Sequence, residues 1–188
     1  EVTVADDYAT PALANAEALV TYIAQRPPGP DETAAVRGFL ERGGRWFAIH
    51  TSNAVPSDCA LPSVIGSRFP AHPPYGPFRV EITKPHDPLL AGIEAFEVED
   101  ELYVVEQQDG LEVLLHAHWG GSVRAVAVAE AKQPLMYRRR VGAGDVVVRI
   151  PNEAVGVHLH HPGQLVVVAS GDETDPLQTV LVELSDPT

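Results

Sequence analysis

The segment Asp31 to Arg42 places Val36, Phe39 and Leu40 at i, i+3 and i+4, stops at Gly43-Gly44, and passes at once into the apolar run Trp46 to Ile49. That order predicts a helix, capped by Asp31 and ended at Gly43, which delivers the chain into a buried strand. Gly38 weakens the helix by about 1 kcal/mol relative to Ala, so packing has to hold it. The strand runs out into His50-Thr51-Ser52. In an open parallel sheet, ligands bind beyond the carboxyl ends of the strands, so an imidazole and two hydroxyls there mark the first place to look for chemistry. A hydrogen-bonded loop histidine has the same spacing, and both readings stand at this point.

Val2 to Val4 and Ala18 to Ile23 read as strands, Pro11 to Ala16 as a short helix, and Pro27-Pro28-Gly29-Pro30 as a break. Pro62 to Phe69 reads as a short helix with proline in its first turn, and Phe78 to Ile82 as a strand. This β-α-β alternation predicts an α/β fold with a mainly parallel sheet and helices on both faces, in which Val2 to Val4, Ala18 to Ile23 and Trp46 to Ile49 are adjacent. Later segments are richer in strand: Leu102 to Val105, Glu112 to His116, Leu135 to Arg138 and Asp145 to Ile150, with a turn at Gly142 and Gly144. They add some antiparallel strands in the C-terminal half. Pro162 to Ser170 divides between helix and strand because Val166-Val167-Val168 is β-branched, and Thr179 to Leu184 reads as a final strand.

At 188 residues with 45% hydrophobic side chains, the chain is large enough for one self-sufficient core. A formal net charge of -13 repels phosphate backbones and anionic lipid, which argues against nucleic acid and membrane partners. The apolar runs are shorter than the roughly 20 residues of a membrane span, and no basic-then-apolar signal opens the sequence. Cys59 is the single cysteine, so an internal disulfide and a multi-cysteine metal site are both excluded, and cytoplasm is the default compartment.

There is no G-x-S-x-G elbow, no G-x-x-x-x-G-K-[ST] phosphate loop and no G-x-G-x-x-G fingerprint. His116-x-His118 and His158-x-His160 each put two rings on one face if extended. Arg138-Arg139-Arg140 reads as a solvated turn, with an anion grip as the alternative. Trp46, Tyr103 and Trp119 have faces suited to stacking on pyranose rings, although Trp46 equally suits a core.

Several segments occur in an order that resembles the ThuA-like, or trehalose utilisation, family: Arg42-Gly43-Gly44-Arg45-Trp46-Phe47-Ala48-Ile49-His50, then Val64 to Phe69 with His72-Pro73, then Phe78 to Ile82. His86 to Ile93 with Phe96, Asp100-Glu101-Leu102-Tyr103, and Gly142 to Val146 continue the series. The resemblance covers about Thr3 to Ala169, with residues 171–188 outside it, and implies a single domain of the flavodoxin-like, class I glutamine amidotransferase-like fold. In two respects the chain departs from the family pattern. It opens at what matches the family's second strand, so the usual first strand is expected to be absent. The turn that carries a thiol nucleophile in glutamine amidotransferases carries His50 here, and Cys59 lies further on in a loop, so glutaminase activity is not expected.

The resemblance implies a protein of carbohydrate catabolism, handling trehalose or a related glycoside such as a keto-sugar by acid-base chemistry. His50 and Glu101 are the catalytic candidates, and Ser52, His72, Tyr103 and Glu153 the substrate-binding ones. Asn152 and His158 to His161 would add a secondary polar set. No cofactor is certain; a divalent metal such as zinc would have His50, His72 and Glu101 as ligands, with water or a sugar oxygen in the fourth position. The expected partner is a small-molecule sugar, with homo-oligomerisation open. The alternative is a non-catalytic binding or interaction module on the same fold.

Overall fold

The computed structural model describes residues 2–5, 7–8, 10–23 and 26–150, together with the backbone path of 165–170. Its strands are β1 (Val2–Ala5), β2 (Ala18–Ile23), β3 (Arg45–Ile49), β4 (Ser67–Ala71), β5 (Gly76–Ile82), β6 (Phe96–Asp100), β7 (Val104–Gln107), β8 (Glu112–Val123), β9 (Val126–Val141), β10 (Gly144–Arg149) and β11 (Leu165–Ser170). The helices are α1 (Pro30–Glu41) and the single-turn α2 (Pro62–Ile65), with 3-10 turns at Pro11–Ala14, His50–Asn53 and Pro88–Leu90. The result is an α/β protein dominated by one nine-stranded sheet in the order β1-β11-β2-β3-β10-β9-β8-β5-β6, with β4 and β7 forming a separate antiparallel pair.

Every residue of β2 is buried, which is why its sequence is a continuous apolar run rather than an alternation. The helix α1 lays Val36, Phe39 and Leu40 over Trp46, Ala48, Val146 and Val148 in the main core cluster. Beneath it β3 and β10 come very close to the end of the helix: a Cβ on Gly144 would fall 2.2 Å from the Gly44 carbonyl oxygen and 2.5 Å from that of Leu40, so only glycine fits. A second cluster, built on Val80, Leu90, Leu102, Leu114, Leu135 and Met136, fills the other half of the sheet.

The sheet is mixed rather than mainly parallel. Four neighbouring pairings, β1 with β11, β11 with β2, β2 with β3 and β3 with β10, are parallel. The other four, β10 with β9, β9 with β8, β8 with β5 and β5 with β6, are antiparallel. The cause is the long β8–β9 hairpin, turned through Arg124 and Ala125 at φ 49° and 64°, since a tight turn can join only antiparallel strands. Accordingly Phe78 to Ile82 belongs to an antiparallel strand and does not complete a parallel β-α-β unit.

The expected contact between Val2 to Val4 and Ala18 to Ile23 is replaced by the insertion of β11 between them, while β2 and β3 are neighbours as expected. The segment that divided between helix and strand is therefore strand over Leu165–Ser170. Helix α1 is capped at Gly29, not Asp31, because Glu32 reaches back to accept the Gly29 N–H at 2.9 Å and Pro30 fills the first helical position. The helix expected over Pro62 to Phe69 ends at Ile65, where Gly66 turns left-handed at φ 99° and releases the chain into β4. Pro11 to Ala16 is shortened to a 3-10 turn, and Leu102 to Val105 divides into a connection and β7, with β6 before it. The tail strand expected at Thr179 to Leu184 lies outside the described residues. No described helix is long and apolar enough to cross a membrane.

Candidate functional site

Since β1, β11, β2, β3 and β10 all run in parallel, Ile23, Ile49 and Arg149 end at one edge of the sheet. His50 is the first residue past that edge on β3. Its φ of 53° lies in the left-handed region, which histidine tolerates better than most residues but which needs support from its surroundings. That support comes from the turn it begins. The buried Ser52 hydroxyl bonds to the Thr21 hydroxyl at 2.9 Å and to the carbonyls of Ile49 at 2.9 Å and Thr21 at 3.2 Å. Thr51 donates to the Ile23 carbonyl, and Asn53 Nδ2 donates to Ser67 at 2.7 Å, tying the turn to β2 and β4.

The His50 ring lies between two tyrosines. It stacks on Tyr22 with centroids 5.6 Å apart and planes at 22°, and the Tyr103 hydroxyl is 3.2 Å from its Nδ1 and 3.3 Å from its Nε2. Burial, followed by the negative charges of Glu101 and Asp100, pushes the Tyr103 phenol far above its ordinary range. It therefore stays protonated beside the imidazole, able to donate to one ring nitrogen or accept from the other as the tautomer requires. Tyr103 in turn stacks on Phe69 at 3.8 Å, and His72 packs against both rings with centroids 5.9 Å from Phe69 and 6.1 Å from Tyr103. His72 Nδ1 is 2.8 Å from the Pro73 carbonyl, so this nitrogen carries the proton and Nε2 faces Glu101 Oε1 at 3.7 Å.

Two charged groups extend the set. Arg149 is the register partner of Ile49 at the end of β10; burial lowers its pKa and the charge of Asp100 opposes the shift. The buried Asp100 accepts the Glu101 N–H at 2.7 Å, which fixes the backbone on which Glu101 stands. The arrangement offers an imidazole for proton transfer, a histidine–carboxylate pair, and the partly exposed rings of Phe69 and His72, with Tyr22 and Tyr103 buried behind them.

Of the residues singled out in the sequence, His50, His72, Glu101 and Tyr103 come together, whereas Ser52 points inward into the turn. Glu153, Asn152 and His158 to His161 lie outside the described residues. Trp46 is 1% exposed, packed edge-on against Tyr8 and bonded to Thr21, so it is a core residue and not a stacking face. Arg138 and Arg140 are held in ion pairs with Asp87, Glu112 and Asp145, and Arg139 donates to the Pro62 carbonyl. Cys59 lies 3.7 Å from the Pro28 carbonyl. For the expected metal set, His72 approaches Glu101 while both His50 nitrogens face Tyr103; the three-donor convergence among the described residues is instead Glu81, His116 and His118. A shallow open depression lined by Ala16, Glu17, Phe39 and Arg42 to Arg45 is at the opposite, amino-terminal edge.

Tyr22, Phe69 and Arg149 were not singled out in the sequence. For Tyr22 and Arg149 the available signal was a polar or aromatic residue at the last positions of an apolar strand, where a parallel sheet delivers it to the ligand edge; Phe69, in the middle of the antiparallel β4, carried no such signal.

A family profile described as trehalose utilisation matches residues 1–171. Among solved structures, a ThuA-like protein from Bacteroides uniformis superposes with a TM-score of 0.56 at 16% identity, over 74% of this chain and 64% of that one. A ThuA-like protein from Parabacteroides merdae gives a TM-score of 0.53 at 11% identity, over 69% of this chain and 58% of that one. The chain thus matches less than two thirds of the length of either structure. No curated protein matches it in sequence. With the profile spanning nearly the whole chain and both structures sharing its fold, the protein belongs to the ThuA-like, trehalose utilisation family.

Proposed function

We propose that the parallel half of the sheet is a flavodoxin-like, class I glutamine amidotransferase-like core whose carboxyl edge binds a sugar, either trehalose or a related glycoside in its keto form. The observation that carries this reading is His50 itself, held in a left-handed conformation at the end of β3 between Tyr22 and the Tyr103 hydroxyl. In this reading His50 moves a proton on the sugar, and Glu101 assists through His72. His72, about a third exposed, offers its ring face and Nε2 to the sugar, and the buried Tyr103 acts on it through His50. Ser52 contributes by holding the turn, and Glu153 stays in the set as a substrate contact.

A second reading, a binding module without turnover, is favoured by one feature. The strand end that carries a thiol in glutaminases carries His50, and Cys59 sits by Pro28 instead.

The test is a titration of trehalose and its 3-keto derivative against the wild-type chain and His50→Asn, chosen because asparagine also tolerates the left-handed backbone. We expect at least tenfold weaker binding by the variant with its melting temperature retained. Equal binding by both proteins overturns the site. Tight binding by the wild type without consumption of the keto-sugar selects the module.

A further inference from the structure

On the antiparallel half of the sheet, Glu81 of β5 is the register partner of His116 of β8, and His118 follows two residues on, so the three side chains share a face. One ligating atom from each lies within 4.8 Å of the others. His116 is 3% exposed, and its Nε2 has no hydrogen-bond partner. Glu81 Oε2 is 3.3 Å from that nitrogen, within ion-pair reach. A buried imidazole nitrogen left in this state calls for another partner.

The other ring nitrogen is anchored in a way that suits a cation as that partner. His116 Nδ1 is 2.8 Å from the Thr83 hydroxyl, whose own residue is fixed by its backbone N–H on the Leu114 carbonyl at 2.8 Å. In the tautomer with the proton on Nδ1, directed to Thr83, Nε2 presents its lone pair to the space shared with Glu81 and His118. A hydroxyl or carbonyl behind a ligating histidine is the usual way its tautomer and ring orientation are set. The two imidazole rings meet edge to face at 5.2 Å and 73°, so both can turn a nitrogen toward one point. Glu81 is half exposed and His118 exposed, which leaves a path from solvent and a fourth position for water.

We propose that Glu81, His116 and His118 bind a divalent first-row transition ion, with zinc the best match to two imidazoles, one carboxylate and an open position. The site uses none of the residues assigned to the sugar and stands or falls separately from that reading. Lys132, the register partner of His118, is the opposing cation among the described residues that acts on His116.

The experiment is a titration of the chelator-stripped full chain with cobalt(II), followed by zinc competition. We expect about one equivalent of cobalt with the ligand-field bands of a four-coordinate ion, displaced by zinc. Glu81→Gln and His118→Ala, both reachable from solvent, should each weaken binding at least tenfold while leaving the metal-free melting temperature unchanged, and Thr83→Val should weaken it about tenfold. Replacing His158, His160 and His161 together by Ala should leave the stoichiometry as it was. The proposal is overturned by the absence of saturable binding, by undiminished binding in Glu81→Gln and His118→Ala, or by loss of binding in the triple histidine variant.

Discussion

The Tyr103 hydroxyl lies almost equally far from the two nitrogens of His50, at 3.2 Å and 3.3 Å, while the same ring is stacked face to face on Phe69 at 3.8 Å. Hydroxyl and ring therefore serve different purposes and can be separated by mutation. Tyr103→Phe removes the hydroxyl and keeps the stack, and should cost about 1 kcal/mol in urea denaturation. Tyr103→Ala removes both and should cost about 3–5 kcal/mol. Equal losses in the two variants would show that the hydrogen bond, not the stack, carries the stability.

Glu32 gives the protein an acid-sensitive joint. Burial works against its charge, but the N–H groups of Gly29 and Tyr8, at 2.9 Å and 3.3 Å, and the Arg26 guanidinium at 3.0 Å together hold its pKa below the ordinary 4.5. A carboxylate with a depressed folded-state pKa contributes stability that is present above its unfolded value and lost as the pH falls through the lowered one. Glu32→Gln should cost about 1–2 kcal/mol at neutral pH. Below about pH 4.5 its unfolding free energy should fall less steeply than that of the wild type. Parallel curves for the two proteins across that range would refute the assignment.

Glycines 144 and 38 should respond in opposite directions to alanine. The methyl of Gly144→Ala would meet backbone oxygens of Gly44 and Leu40 that cannot swing aside, and should cost about 3 kcal/mol or more. Gly38 lies inside α1 with Arg42 Nη1 3.5 Å from the added methyl, a flexible neighbour at ordinary contact distance, so Gly38→Ala should stabilise by about 0.5–1 kcal/mol. Urea midpoints measured side by side decide both.

What could be read in the sequence was whatever a local pattern encodes. Helix α1, β2 and β3 were readable because a buried amphipathic face and two apolar runs admit few alternatives, and His50 because it interrupts such a run at its end. Some antiparallel strands in the C-terminal half were expected and are present, but their extent, including the antiparallel pairing of Phe78 to Ile82, was not readable. The turn at Arg124-Ala125 uses two positive φ values with neither glycine nor asparagine, so the hairpin that sets half the sheet antiparallel carries no turn signature. Tyr22 and Arg149 were hidden inside runs that read as core. Glu81 and His116 are remote in sequence and meet only through the β5–β8 register, which no local spacing reveals.

The position of β11 has a consequence for how the molecule is made. Val2 pairs with Leu165, so the pairings of β11 with β1 and with β2 cannot form until the chain has been made through residue 170. Until then the apolar edge of β2 is open to any extended segment that finds it, including the same strand of another nascent copy. When β11 does enter, it pairs in parallel on both sides with strands remote in sequence, a kind of pairing that is intrinsically slow to form.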